Sequence, residues 1–132
     1  MIVLDTQTLI WWVNEPEKIS HKAKKLIEKE IKEAGIILVS SISIWEVYLL
    51  FKKGKIHMSA NPDIWLEKVE NLVNLRFIPV DNKIAGLSVN LPEPLHKDPA
   101  DRIIIATARQ YGATLITSDD KIRKYSGVQT IW

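Results

Sequence analysis

Four of the 16 acidic residues in this 132-residue sequence stand where a solvated charge has no obvious place. Asp5 closes the apolar run Ile2-Val3-Leu4. Glu46 is the only charge between Ser40 and Phe51, inside Ile44-Trp45-Glu46-Val47-Tyr48-Leu49-Leu50-Phe51, and helical steps of about 100° surround it with apolar side chains. Asp101 opens Arg102-Ile103-Ile104-Ile105-Ala106-Thr107-Ala108, apolar nearly all round and so expected near the centre of the molecule. Asp119 follows Thr114-Leu115-Ile116-Thr117-Ser118. Each position also has a structural reading, because helix N-termini favour carboxylates. Asp5 can cap a helix starting near Thr6, Ser43-x-x-Glu46 fits a capping box, and Asp98-Pro99-Ala100-Asp101 reads as an N-cap with a first-turn proline.

The four acids carry more weight together. In a parallel α/β sheet, strand ends and the starts of the following helices share one edge, so four separate segments would deliver carboxylates to one crevice. Two like charges about 4 Å apart repel by roughly 4 kcal/mol at an effective dielectric near 20. A divalent cation removes that conflict. The sequence has no cysteine, and His21, His57 and His96 have no ligand-like spacing, which points to a hard ion, Mg2+ or Mn2+, on oxygen ligands. A magnesium-type ion that keeps several waters is suited to phosphate-ester hydrolysis, and such chemistry needs no histidine base.

The elements required to position these residues are legible. Ile2–Leu4, Ile36–Val39, Phe77–Val80, Thr114–Thr117 and Val128–Ile131 read as short strands. Between them lie helical patterns. Ser20–Ala34 places Ala23, Leu26, Ile27, Ile31 and Ala34 on one stripe, and Asn61-Pro62 opens a helix carrying Trp65, Leu66, Val69, Leu72 and Val73. Gly35, Gly54, Gly112 and Gly127 fall where helices would end on a residue of positive φ. The expected fold class is α/β, a three-layer α/β/α sandwich around a mostly parallel sheet of four to five strands, with residues 1–132 forming one domain.

Composition narrows the function. An apolar fraction of 46% with 26% charged residues suits a packed core, and a net charge of +2 tolerates a polyanionic partner without requiring one. Zero cysteines rule out a disulfide scaffold, a thiolate zinc site and a cysteine nucleophile. No uncharged run approaches the roughly 18 residues of a membrane span, and Asp5 interrupts the first apolar stretch too early for a signal peptide, so neither export nor membrane insertion is expected. The expected location is the cytoplasm.

Four segments in order carry a resemblance: Leu4-Asp5-Thr6-Gln7-Thr8-Leu9-Ile10-Trp11-Trp12, Ser40-Ser41-Ile42-Ser43-Ile44-Trp45-Glu46-Val47, His96-Lys97-Asp98-Pro99-Ala100-Asp101-Arg102, and Leu115-Ile116-Thr117-Ser118-Asp119. Together they span nearly the whole chain, which resembles a PIN-domain protein of the VapC type, the toxin ribonucleases of toxin–antitoxin modules. The resemblance implies a metal-dependent endoribonuclease whose catalytic and metal-binding acids are Asp5, Glu46, Asp101 and Asp119. It also implies homodimers and inhibition by a small antitoxin. Asp98 lies three residues before Asp101 and is a possible auxiliary ligand, while Asp120 is assigned to the start of the next helix. Ala100 stands where related sequences often carry a bulkier aromatic residue.

Further residues are assigned beside alternatives. Thr6 and Ser118 neighbour the proposed ligands and could orient carboxylates or water from a second layer, or serve as caps. Arg102 and His96 are candidate phosphate contacts, against a structural ion pair from Arg102 to Asp98 or Glu93. Lys52, Lys53 and Lys55 could track an RNA backbone or form a solvated helix end. Trp11, Trp12 and Trp45 are interface candidates. The competing functional readings are a non-catalytic PIN-like domain that binds RNA or protein, and a structure-specific DNA nuclease. Clustered acids contribute nothing to a surface that only binds RNA. A phosphatase of the haloacid dehalogenase type would need an acid where Gln7 stands, and no glycine-rich phosphate loop follows any strand.

Overall fold

The computed structural model describes residues 1–132. Its elements are β1 (Ile2–Leu4), α1 (Thr6–Asn14), α2 (His21–Lys32), β2 (Ile37–Ser40), α3 (Ser41–Lys52) and α4 (Pro62–Glu70). They continue with β3 (Leu75–Ile78), α5 (Asn82–Val89), α6 (Pro99–Tyr111), β4 (Thr114–Ile116), α7 (Asp120–Arg123) and β5 (Thr130–Ile131). The five strands are all parallel in the order β3-β2-β1-β4-β5.

Side chains alternate along each strand, so adjacent residues serve opposite layers. Ile2, Leu4, Ile37, Val39 and Ile116 pack with Leu9, Ile10, Ala23, Ile27, Trp65 and Val69, which places α1, α2 and α4 on one face. Val3, Leu38 and Leu115 pack instead with Ile84, Ile104, Ile105, Ala108 and Ile122 from α5, α6 and α7. The expected α/β/α sandwich follows from this division. Its sheet runs outward from β1 through β2 to β3 on one side and through β4 to β5 on the other, so strand order reverses beside β1. Open α/β sheets form their crevice at the carboxyl ends of the strands at such a reversal. Leu4 is level with Val39 of β2 and Ile116 of β4, which brings the ends of these three strands to one height. No helix is long and apolar enough to cross a membrane.

Several boundaries differ from the sequence reading. The third strand runs Leu75–Ile78 rather than Phe77–Val80. It starts where Asn74 turns at φ 67° and offers its carbonyl to Ile37 N–H, and it stops before Pro79, which has no N–H to pair. Arg76 had hidden its start by breaking the apolar run. The fifth strand contracts to Thr130–Ile131. Gly112 closes α6 at φ 60° as expected, but the chain leaving α2 turns at Ala34, φ 54°, and Gly35 instead packs closely against the end of the Glu30 side chain. The helix holding Glu46 is less enclosed than its composition suggests: in α3 only Ser43 and Val47 are buried, and Trp45 is 58% exposed.

Candidate functional site

Asp5, Glu46, Asp101 and Asp119 line one crevice of about 270 Å3, together with Thr6, Gln7, Leu50 and Ser118. The four acids come from four segments, and the sheet explains their meeting. Asp5 directly follows β1 and Asp119 lies just beyond β4, the neighbouring strand. β2 runs straight into α3, which carries Glu46, and α6 lays Asp101 across from it.

Three of the capping roles coexist with this meeting. Asp5 Oδ1 accepts from Thr8 N–H at 2.8 Å, Asp119 Oδ1 accepts from Lys121 and Ile122 N–H at 2.8 and 3.1 Å, and Asp98 Oδ1 accepts from Asp101 N–H at 3.0 Å. Glu46 differs, because the N-cap of α3 is Ser40, whose side chain accepts from Ile42 N–H. The expected capping box at Ser43 is therefore absent. Glu46 lies beyond the first turn, where no orphan amide requires it.

Thr6 holds Glu46 in place. Its Oγ1 is 2.5 Å from Glu46 Oε1 and 2.9 Å from the fully buried Ser43 Oγ. A hydroxyl carries one proton and an ionised carboxylate only accepts. Thr6 therefore donates to Glu46, and Ser43 donates to Thr6, in a relay joining α1 to α3. His96 Nε2 approaches Asp101 Oδ2 at 2.8 Å and plays the same orienting part on the other wall.

The electrostatics are one-sided, since no lysine or arginine lines the crevice. Burial pushes the Asp5 carboxyl above the usual carboxylate range, opposed by hydrogen bonds from Thr117 and Thr8 and reinforced by Asp119. Burial likewise raises Glu46 against the Thr6 hydrogen bond, with Asp101, Asp98 and Asp5 adding repulsion. Asp101 is raised by burial first, then by Asp98 and Asp119, while the His96 contact pulls the other way. Uncompensated acids with oxygen neighbours form a donor set for a hard divalent cation. The convergence is looser than four direct ligands require: no three His, Cys, Asp or Glu side chains gather tightly enough to hold an ion by themselves. Oδ1 of Asp5 and Oδ1 of Asp119 face backbone amides, and Asp101 Oδ2 faces His96. Mg2+ suits such a site, because it takes one or two carboxylates and fills its remaining positions with water.

The other sequence candidates separate. Asp98 is the N-cap of α6 and lies outside the crevice, and Asp120 begins α7 with an exposed carboxylate. Arg102 is not available to phosphate. All five of its N–H donors are engaged: Nε with Ser88 O, one terminal nitrogen with Leu95 O and His96 O, and the other with Val89 O and Glu93 Oε1. It staples the loop between α5 and α6, and the ion pair runs to Glu93, which was one of the two structural alternatives. We expect Arg102→Ala to lower stability by about 2 kcal/mol in urea unfolding, chiefly through carbonyls left without a donor. A change below about 0.5 kcal/mol would show that the loop holds without it.

His96 contacts Asp101 and does not line the crevice, so the structure gives it an orienting position rather than one open to phosphate. Lys52 and Lys53 are exposed at the end of α3, and Lys53, two turns beyond Glu46, shares its helix face. Trp11 and Trp12 pack against the core, with Trp11 lying 5.7 Å from the Trp132 ring, which leaves Trp45 as the open tryptophan of the three. Gln7 and Leu50 line the crevice without having been singled out. Gln7 was detectable as the third residue of Asp5-Thr6-Gln7, whereas Leu50 looks like any core leucine, and Ser43 was read only as a cap.

Comparisons with known proteins agree with this architecture. The PIN domain family model matches residues 2–128. Ribonuclease VapC22 of Mycobacterium tuberculosis (strain ATCC 25618 / H37Rv) is 30% identical over 133 aligned positions, covering 99% of this chain and 98% of that protein. Among solved structures, VapBC2 from Rickettsia felis bound to a DNA fragment from their promoter matches with a TM-score of 0.72 at 20% identity, over 99% of this chain and 98% of that one. FitAcB from Neisseria gonorrhoeae matches with a TM-score of 0.68 at 21% identity, over 100% of this chain and 97% of that one. A toxin-antitoxin complex from Klebsiella pneumoniae matches with a TM-score of 0.66 at 22% identity, over 100% and 97% of the two chains.

Proposed function

The chain belongs to the PIN-domain family, and from that premise we propose that it is a metal-dependent endoribonuclease, the toxin of a toxin–antitoxin pair. The observation that carries the proposal is the crevice itself, where four carboxylates meet with no lysine or arginine in the lining to neutralise them. The relative at 30% identity is named a ribonuclease, and the solved neighbours include toxin–antitoxin complexes. A small antitoxin protein, a homodimeric state and a cytoplasmic location belong to the same reading.

Asp5, Glu46, Asp101 and Asp119 are the proposed holders of Mg2+ or Mn2+. Such an ion supplies charge neutralisation for the phosphate oxygens and acidity for water. The chain's own residues do the rest. Asp5, fixed by Thr8 N–H, presents a carboxylate from the floor, and Thr6 and His96 hold Glu46 and Asp101 at opposite walls. Ser118 and Gln7 add neutral oxygen and amide groups at the rim, suited to orienting water. No unengaged histidine stands in the crevice to serve as base for a 2′-hydroxyl, so the attacking group in this reading is water. The P–O3′ bond breaks, the 3′ oxygen leaves with a proton, and the products carry a 5′-phosphate and a 3′-hydroxyl. Lys53, the C-cap of α3 on the same side as Glu46, is the best-placed basic side chain to follow the RNA backbone.

The direct test is incubation of the purified protein with RNA in Mg2+ or Mn2+ and in chelator. Cutting confined to the metal-containing samples is expected, and equal cutting in chelator would overturn the metal role. Thr6→Val, which keeps the side-chain shape but removes the hydroxyl, is expected to slow cutting about 10- to 100-fold, with Thr6→Ser restoring most of it. A wild-type rate in Thr6→Val would remove Thr6 from the machinery.

A further inference from the structure

Beside the acid crevice lies a second cavity of about 410 Å3, lined by Ile42, Trp45, Glu46, Leu49, Asp98, Pro99 and Ala100. Glu46 belongs to both, so the two hollows share one wall. The volume lies in the lower part of the range for small-molecule sites. We propose that this cavity receives an unpaired nucleobase next to the scissile phosphate and favours a base whose edge carries an amino group; the proposal rests on the ribonuclease reading above.

Three features point to that occupant. Trp45 is 58% exposed and offers an aromatic face, and base stacking on such a face is tolerant of sequence and worth a substantial factor in affinity. Ala100, buried in the first turn of α6, contributes only a methyl group to the lining and so takes little of the space. Glu46 and Asp98 are the only charged residues of the lining; Glu46 is committed to Thr6 and the acid crevice, which leaves Asp98, with Oδ1 on Asp101 N–H and Oδ2 free, as a carboxylate that when ionised only accepts hydrogen bonds. The amino groups of cytosine, adenine and guanine match that acceptor, whereas uracil offers only its N3–H, flanked by two carbonyl oxygens that a carboxylate repels. A second copy of the chain is a poorer occupant. Packed two-fold on this hollow, it would bury the Asp98 carboxylates of both copies with no lysine or arginine in the lining to pair with them.

The test uses short single-stranded RNAs that differ only in the base flanking the cut, and it reads the ratio of kcat/KM for cytosine or adenine over uracil. A ratio of about tenfold or more is expected for the wild type, falling below about threefold in Trp45→Ala and in Ala100→Leu, which removes the stacking face or fills the hollow. Trp45→Ala alters an exposed residue and keeps the test informative if Ala100→Leu fails to fold. A wild-type ratio near one, or variants that keep the wild-type ratio, overturns the cavity assignment and leaves the ribonuclease reading intact. If no RNA is cut in metal, that reading falls, and the same ratio measured as binding in chelator by fluorescence anisotropy decides the cavity separately. A Trp45→Ala protein that changes from dimer to monomer in sedimentation while its base ratio is unchanged gives the cavity to an interface between copies and overturns the proposal.

Discussion

An Asp5→Asn protein is expected to fold normally and to cut RNA at least about a thousandfold more slowly than the wild type, in line with the loss of a central electrostatic group. Asn retains an oxygen that can accept from Thr8 N–H, so the cap of α1 survives the change. What it lacks is charge. Asp5 is 7% exposed and lies on the crevice floor, so no solvent-borne ion can substitute from that side. The same substitution is expected to leave the melting temperature in chelator unchanged or raised. Burial and Asp119 disfavour the ionised Asp5 carboxyl, and an amide removes that cost. Cleavage assays and thermal melts on one preparation check both halves. Wild-type cutting by Asp5→Asn would remove Asp5 from catalysis, and loss of folding would show that its charge has a structural role.

Mn2+ is expected to raise the melting temperature of the wild type by about 10 °C at a concentration near 100 times its dissociation constant, where linkage contributes about 2.7 kcal/mol. Glu46→Gln is expected to lose most of that shift. The effect has a definite pH dependence. Asp5, Glu46 and Asp101 all have their folded-state pKa raised, so the folded chain holds protons that the unfolded chain has released. In chelator their contribution to stability therefore declines as pH rises from the ordinary carboxylate range, about 4, through the raised values. The ion competes with those same protons, so the Mn2+ shift should grow as pH rises from the ordinary carboxylate range toward neutrality. A shift independent of pH, or one retained in Glu46→Gln, would move the ion away from these carboxylates. Scanning calorimetry across that pH series, with and without Mn2+, measures all of this.

Much of the architecture was legible because it is written in short-range patterns. Ile2–Leu4 and Thr114–Ile116 are apolar runs bounded by polar punctuation, and burial on both faces makes such runs conspicuous. Leu75–Ile78 was misplaced because Arg76 interrupts the pattern, and only pairing with β2 reveals that the backbone there is a strand. Arg102 shows a deeper limit. Its planar donor fork suggested phosphate beside a structural ion pair, but the fork is taken by carbonyls of Ser88, Val89, Leu95 and His96, partners set by how α5 folds back against α6.

The sequence by itself determined the layered α/β architecture and the identities of the four acids. Hydrophobic periodicity, caps and strand-end carboxylates are local properties, and the energies that enforce them act within a few residues. Tertiary structure alone decided which groups hold those acids, how loosely they converge, and where the adjoining hollow opens. Thr6 reaches Glu46 across 40 residues of chain, and the hollow joins α3 to α6, because side-chain contact depends on how packed layers stack rather than on spacing along the polypeptide.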